Sequence, residues 1–318
     1  MTDLLHVAVA LEGYGWHPEA WRHTPNRPSV FSGRYWAGLA ATAERGRVDF
    51  VTFDDGLTPQ RRRRPELESR WFAGRLDAVL VASRVAPTTK HIGLIPVATV
   101  THTKPLNVSK AIATLDLVSH GRAGWQPRVS GTAHEAALFG RRDVGDVDLF
   151  AEAVDAVDVV RRGWEGWNQP VVAALAHARP IYEFAARSAE LVFVTPSDDG
   201  ALRSILGEVA EVGGAHLKVY ADVYVTSDGT VDRRSDAYVY CGTAAELVEL
   251  VLRWHAIGID GVRLRPAVNA VDLPFIVDEF VPALREAGAF RSEYGDEPLR
   301  SRLGLSVATN LHAESRHP

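Results

Sequence analysis

The chain has 318 residues, of which 46% are hydrophobic and 24% charged. That is the composition of an ordinary globular protein with enough length to bury a large core, and it excludes a disordered or fibrous chain. The formal net charge of -5 is mild and neither sign gathers in one half, so the electrostatic footprint of a nucleic-acid binder is absent.

The only cysteine is Cys241, which precludes an intrachain disulfide and a cysteine-based zinc cluster and fits a reducing cytoplasm. The opening run "LLHVAVAL" has no basic segment ahead of it and is too short for a secretory core or a membrane span. It reads as a buried strand, Leu4 to Leu11. In chain order the further predicted strands are Val48 to Phe53, His91 to Val97, Ala123 to Val129, Pro170 to Leu175, Leu191 to Thr195, Leu217 to Val225 and Gly261 to Leu264. Between and after them lie amphipathic segments: Arg34 to Arg45, Arg70 to Val85, Leu106 to Val118, Leu149 to Arg162, Ile181 to Ser188, Leu202 to Val212, Ala244 to Ala256 and Leu273 to Glu286.

Strand and helix alternate from end to end, and continuously apolar strands are what a parallel sheet covered on both faces requires. Eight such units in a chain of this length predict an α/β fold, a (β/α)8 TIM barrel over residues 1–305, with a polar tail over 306–318. An open doubly wound sheet is the alternative. It is disfavoured because no G-x-G-x-x-G follows the first strand, which runs instead into "EGYGWHPEAWRHTP". The biased stretch "RRRRPELESR", Arg61 to Arg70, reads most simply as a solvated loop or helix start.

Barrel chemistry gathers where strands end. Those ends carry Glu12 and Trp16, then Asp54 and Asp55, then Thr99, Thr101 and His102, then Gln126, Arg128 and Ser130, with His177, Thr195, Thr226 and Arg265 later. Hydroxyls and amides that can read a planar heterocycle, beside Trp and His rings that can stack on it, suit a flat cofactor. Each hydroxyl has a plainer use as a helix cap. Twelve histidines could supply metal ligands, but neither H-x-H nor H-E-x-x-H occurs, so no metal site is expected. A G-x-S-x-G elbow is missing too. Asp54 and Asp55 are adjacent, so they point in opposite directions and do not form an acid/base pair.

Several blocks, in order, resemble the bacterial luciferase-like flavin monooxygenases, in the branch of nitrilotriacetate monooxygenase, dibenzothiophene-sulfone monooxygenase and pristinamycin synthase. They are "HPEAWRHTP", "YWAGLAATAERGRVDFVTFDD", "IGLIPVATVTHTKP", "LDLVSHGRAGWQPRVS", "GWEGW", "FAARSAELVF" and "FRSEYGDEPLRSRLGL". The resemblance implies the same barrel, reduced FMN delivered by a separate flavin reductase, oxidation of a small organic substrate by molecular oxygen, and a homodimer. It places the flavin ring against Asp55, Thr99, Thr101, Gln126 and Ser130. His102 and His177 become candidates to assist catalysis by hydrogen bonding, and Trp16 and Arg128 candidates to meet substrate.

The departures from the family lie where FMN phosphate is held. Asp146 and Phe150 take the places of a His and a Tyr, and Ala178 and Ile181 those of a Ser and a Gly. A carboxylate repels phosphate, and Ile denies the close backbone approach that Gly allows. Arg179 or the arginine run could replace the lost ligands. A long family insertion is also shortened, with only Asn168 and Gln169 between Trp167 and Pro170. Riboflavin or a deazaflavin coenzyme is therefore an alternative cofactor, and a cofactor-less accessory barrel an alternative role.

Overall fold

The computed structural model describes residues 4–57, 74–139, 144–145 and 147–307. The arginine run, Asp146, the start of the predicted helix Arg70 to Val85 and most of the predicted tail lie outside the described residues. Nine strands are present among those described: β1 His6–Leu11, β2 Phe50–Phe53, β3 Gly93–Thr99, β4 Gly124–Arg128, β5 Val171–Leu175, β6 Leu191–Val194, β7 Lys218–Thr226, β8 Tyr238–Cys241 and β9 Gly261–Pro266. All pairings are parallel, and β1 through β7 followed by β9 close into an eight-stranded ring through β6–β7, β7–β9 and β9–β1. This is the predicted barrel.

The ninth strand, β8, was not anticipated. The lower half of β7 pairs with β6 over Lys218 to Ala221, and the upper half pairs with β8 over Val223 to Thr226. A nine-residue strand rises past its four-residue neighbour and leaves ladder groups unpaired; β8 satisfies them. Its four residues "YVYC" form too short a run to stand out in sequence.

Helices begin where capping chemistry allows. The helix Ala78–Val85 starts at Asp77, whose carboxylate accepts from Leu80 N at 2.9 Å, so the residues just before it, from Gly74, are not helical. The helix Ala244–Ile257 opens on a Thr243/Glu246 capping box. The helix Arg179–Ser188 begins two residues earlier than its periodicity predicts, because Pro180 fits a first turn. A short helix, Ala133–Phe139, follows β4 and was not predicted.

Strand alternation separates two cores. Val7, Val9, Leu11, Val51, Val262 and Leu264 face the helical layer. Ala8, Phe50, Ile95, Ala173, Leu191, Phe193 and Tyr220 fill the base of the barrel, with Leu299 and Leu303 packed among them. Above that apolar layer the inward positions turn polar: Thr52, Gln126, Asp222, Arg263 and Arg265 are all buried.

The turn "GRAGW" is structural. Gly121 takes φ +81, and the Arg122 guanidinium donates to the carbonyls of Ser119 (2.7 Å), Ile92 (2.8 Å), Ala86 (2.8 Å) and Thr89 (3.1 Å) and to Thr89 Oγ1 (2.9 Å). It ties the loop before β3 to the loop before β4. Replacing Arg122 with Met is expected to cost about 3 kcal/mol or more in urea unfolding, because several buried carbonyls lose their donors at once.

Two acids fasten the base of the fold. Asp49 accepts from Val7 N at 2.9 Å and lies between His6 (3.3 Å) and Arg291 (2.5 Å). Glu190 meets Arg161 at 2.9 Å and Arg300 at 3.2 Å. Burial alone would raise both pKa values, but the facing cations and N–H donors outweigh it and hold both below the ordinary carboxyl range. A lowered folded-state pKa gives stability that is complete above the unfolded value of about 4 and is lost as pH falls through the folded one. Urea titrations at stepped pH should therefore show stability dropping below about pH 4, with a smaller drop in Asp49→Asn.

Candidate functional site

At the C-terminal ends of the strands opens a cavity of about 370 Å³, lined by Trp16, Asp54, Arg75, Val97, Gln126, Arg128, Phe150, Leu175, His177, Ile181, Phe184, Asp236 and Arg265 among others. Its size lies within the range of small-molecule sites. Phe150, Phe184 and Ile181 give it an apolar wall from the helices that precede and follow β5, while β4 and β9 supply Gln126, Arg128 and Arg265.

The floor is an ionic lattice. Asp222 on β7, fully buried, accepts from Arg263 Nε at 2.7 Å and Nη2 at 2.6 Å, and from Arg265 Nε at 2.8 Å and Nη2. Arg265 reaches up to Asp236 at 2.6 Å, and Arg263 donates to Gln126 Oε1 at 3.1 Å. Rings close the remaining faces: the Arg263 guanidinium lies 3.8 Å from the centroid of Phe193, and that of Arg265 lies 4.5 Å from the Trp16 ring. Trp16 is itself pinned by donating Nε1 to Ala10 O at 2.7 Å. The sequence reading named Arg265 as a strand end but missed Asp222 and Arg263. The available signal was the single Asp inside the apolar run "VYADVYVT" and the two Arg at alternate positions of "GVRLRP".

Of the strand-end residues singled out in sequence, Trp16, Asp54, Gln126, Arg128, His177 and Arg265 come together on this cavity. The others are not among its lining residues. Asp55 uses its carboxylate to accept from Gly56 N (2.6 Å) and Ala78 N (2.9 Å), and burial raises its pKa against the pull of those donors. Thr99 ends β3 buried, and its carbonyl accepts from Thr103 Oγ1. Thr101 Oγ1 accepts from Ser130 N at 3.0 Å, while Ser130 Oγ donates to Glu135 at 2.6 Å. Thr101 and His102 line a separate cavity of about 470 Å³ with Lys104, Glu152 and Asp155. His102 takes φ +69 there and stacks on Phe139 at 5.3 Å.

Set against known proteins, the chain matches the model of the luciferase-like monooxygenase family over residues 15–237. It belongs to that family, and thus to a class of flavin-dependent oxidoreductases that incorporate oxygen. The N-acetyl-S-(2-succino)cysteine monooxygenase of Bacillus subtilis is 22% identical over 98% of this chain and 98% of its own. That alignment runs to 440 residues, so the relative carries segments this chain lacks. Component A of nitrilotriacetate monooxygenase from Aminobacter aminovorans is 27% identical over 74% of this chain and 64% of its own, so the chain spans somewhat under two thirds of that relative. In fold, the EDTA monooxygenase from Chelativorans superimposes with a TM-score of 0.83, covering 96% of this chain and 99% of that one at 17% identity. No described helix is long and apolar enough to cross a membrane.

Removing the carboxylate that two buried guanidinia share leaves both uncompensated. Asp222→Ala is expected to cost about 3–5 kcal/mol in chemical denaturation, several times the loss from Asp236→Ala, whose side chain is 59% exposed.

Proposed function

We propose that this chain is the oxygenating component of a two-component monooxygenase. It takes reduced FMN from a separate flavin reductase and inserts one oxygen atom into a small organic substrate, working as a cytoplasmic homodimer with residues 1–305 as a single barrel domain. The observation that carries this reading is the composition of the mouth. A family barrel opens there into a cavity that is aromatic on two sides and has a small set of fixed donors and acceptors between them.

The ring of a flavin fits these residues. Trp16 offers a rigid indole held by Ala10 and Arg265, Gln126 offers an amide oriented by Arg263, and Phe150 and Phe184 close the apolar side. Asp55, Thr99, Thr101 and Ser130, which the family resemblance sets against the flavin ring, are not among the residues lining this cavity. When bound, the reduced flavin supplies the two electrons that divide dioxygen between product and water. The protein's share is to exclude water, orient substrate and hold charge steady, and a lattice locked by Asp222 does the last of these with little reorganisation. His177, exposed at the rim, is the histidine on this cavity that can exchange a proton with a bound molecule. His102 lines the second cavity and is not among the residues lining the first.

The phosphate end of FMN does not fit where the family resemblance puts it. The helix Arg179–Ser188 begins at Ala178 with no side-chain cap, Pro180 removes a first-turn N–H, and Ile181 fills the adjacent wall. Arg179 is turned outward to Glu183 (3.4 Å) and Glu211 (3.2 Å). This favours riboflavin or a deazaflavin coenzyme as the second reading of the cofactor.

The test is direct. Purified protein titrated with FMN, riboflavin and a deazaflavin coenzyme should quench or shift the fluorescence of at least one at micromolar concentration. Reduced cofactor with isotopically labelled oxygen and a panel of thioethers, amines and sulfones should then give labelled product. Absence of binding to all three flavins sinks the enzyme reading. Trp16→Ala is expected to weaken flavin binding about tenfold through loss of the stacking face.

A further inference from the structure

Two guanidinium groups converge beside the mouth on a point kept open by a glycine. A Cβ built on Gly56 would stand 2.6 Å from Arg75 Nη1 and 2.6 Å from Arg128 Nη1. The two cationic nitrogens are thus at most twice that distance apart, and both residues line the 370 Å³ cavity. Arg75 is anchored through its other Nη, and Arg128 through both. Arg75, 12% exposed, gives Nη2 to Glu12 Oε1 at 3.0 Å and lies 3.5 Å from Asp54 Oδ2. Arg128, 36% exposed, donates Nη1 to the Asp55 carbonyl and places Nη2 3.9 Å from Glu135 Oε1. Glu135 is further occupied by Ser130 Oγ at 2.6 Å and Thr132 Oγ1 at 3.2 Å. The Asp55 carboxylate is turned to the backbone N–H groups of Gly56 and Ala78.

Glu12, Asp54 and Glu135 offset these two charges from their outer ends, and an acceptor placed between the converging nitrogens would pair with both at once. Planar forks are moreover matched to two-oxygen acceptors, carboxylate or phosphate. Among the described residues no other pair of cations approaches over a glycine in this way. We propose that Arg75 and Arg128, brought together across Gly56, form an anion seat at the barrel mouth that receives a carboxylate or phosphate group of the molecule bound there. The proposal rests on the flavin-monooxygenase reading for what that molecule is: the FMN phosphate, displaced from its family position, or a carboxylate on the substrate.

The experiment separates these sources. FMN, riboflavin, succinate and inorganic phosphate are titrated against the wild-type chain at low and high ionic strength, and against Gly56→Ala and Arg128→Gln. In Gly56→Ala the added Cβ meets only the tips of flexible side chains and φ is not positive, so the variant folds while the clamp is pushed apart. If the seat holds the flavin phosphate, FMN binds about tenfold more tightly than riboflavin, and salt or either variant abolishes the difference. If it holds a substrate carboxylate, FMN and riboflavin bind alike, while succinate or phosphate binds in a salt-sensitive manner that both variants lose. Equal flavin affinities together with no binding of succinate or phosphate to the wild type overturn the proposal, and so do folded variants that change nothing. Failure of every flavin to bind, with succinate still bound, overturns the enzyme reading and leaves the seat standing.

Discussion

A single carboxylate organises the functional half of this barrel. Asp222 stands in an interior that would otherwise hold two facing guanidinia, and it takes hydrogen bonds from both. Charges can occupy such a place only when paired and fully hydrogen-bonded. Everything above the lattice inherits its position: Gln126 is oriented through Arg263, Trp16 is stacked through Arg265, and Asp236 is drawn over the rim. The barrel beneath is apolar and would close well without these ions. Their presence marks the upper layer as a place where shape and charge matter more than packing.

The architecture was legible because strand and helix periods differ and alternate along the whole chain, and because parallel strands buried on both faces must read as apolar runs. The ring of eight strands follows from that alternation. What did not follow was β8, whose role is to continue a ladder that β6 abandons: a need created by unequal strand lengths and visible only once neighbours are known. The charged layer was hidden for a related reason. One Asp among nine strand residues looks like an interruption until the opposing strand shows two Arg at matching heights.

The candidate site was legible in part. Naming strand ends located the mouth, and Trp16, Gln126, Arg128 and His177 do line it. The same rule cannot say which of two neighbouring residues turns inward once the backbone leaves the strand. After β3 the chain swings Thr101 and His102 toward the helices, and His102 adopts a left-handed conformation there. Asp55 and Ser130 are likewise spent on local hydrogen bonds that fix loop geometry. Arg75, the other half of the convergence over Gly56, gave no sequence signal because it follows a charged run and precedes a helix, where a basic residue is unremarkable.

Leu299 and Leu303, supplied by the C-terminal segment, pack into the base of the barrel with Phe50, Ile95 and Leu191. The interior is thereby stoppered at one end, and the lattice of Asp222 fills the next level. Among the described residues, the barrel therefore offers no passage downward from the cavity, and a molecule held in the mouth must enter and leave on the side of the strand ends.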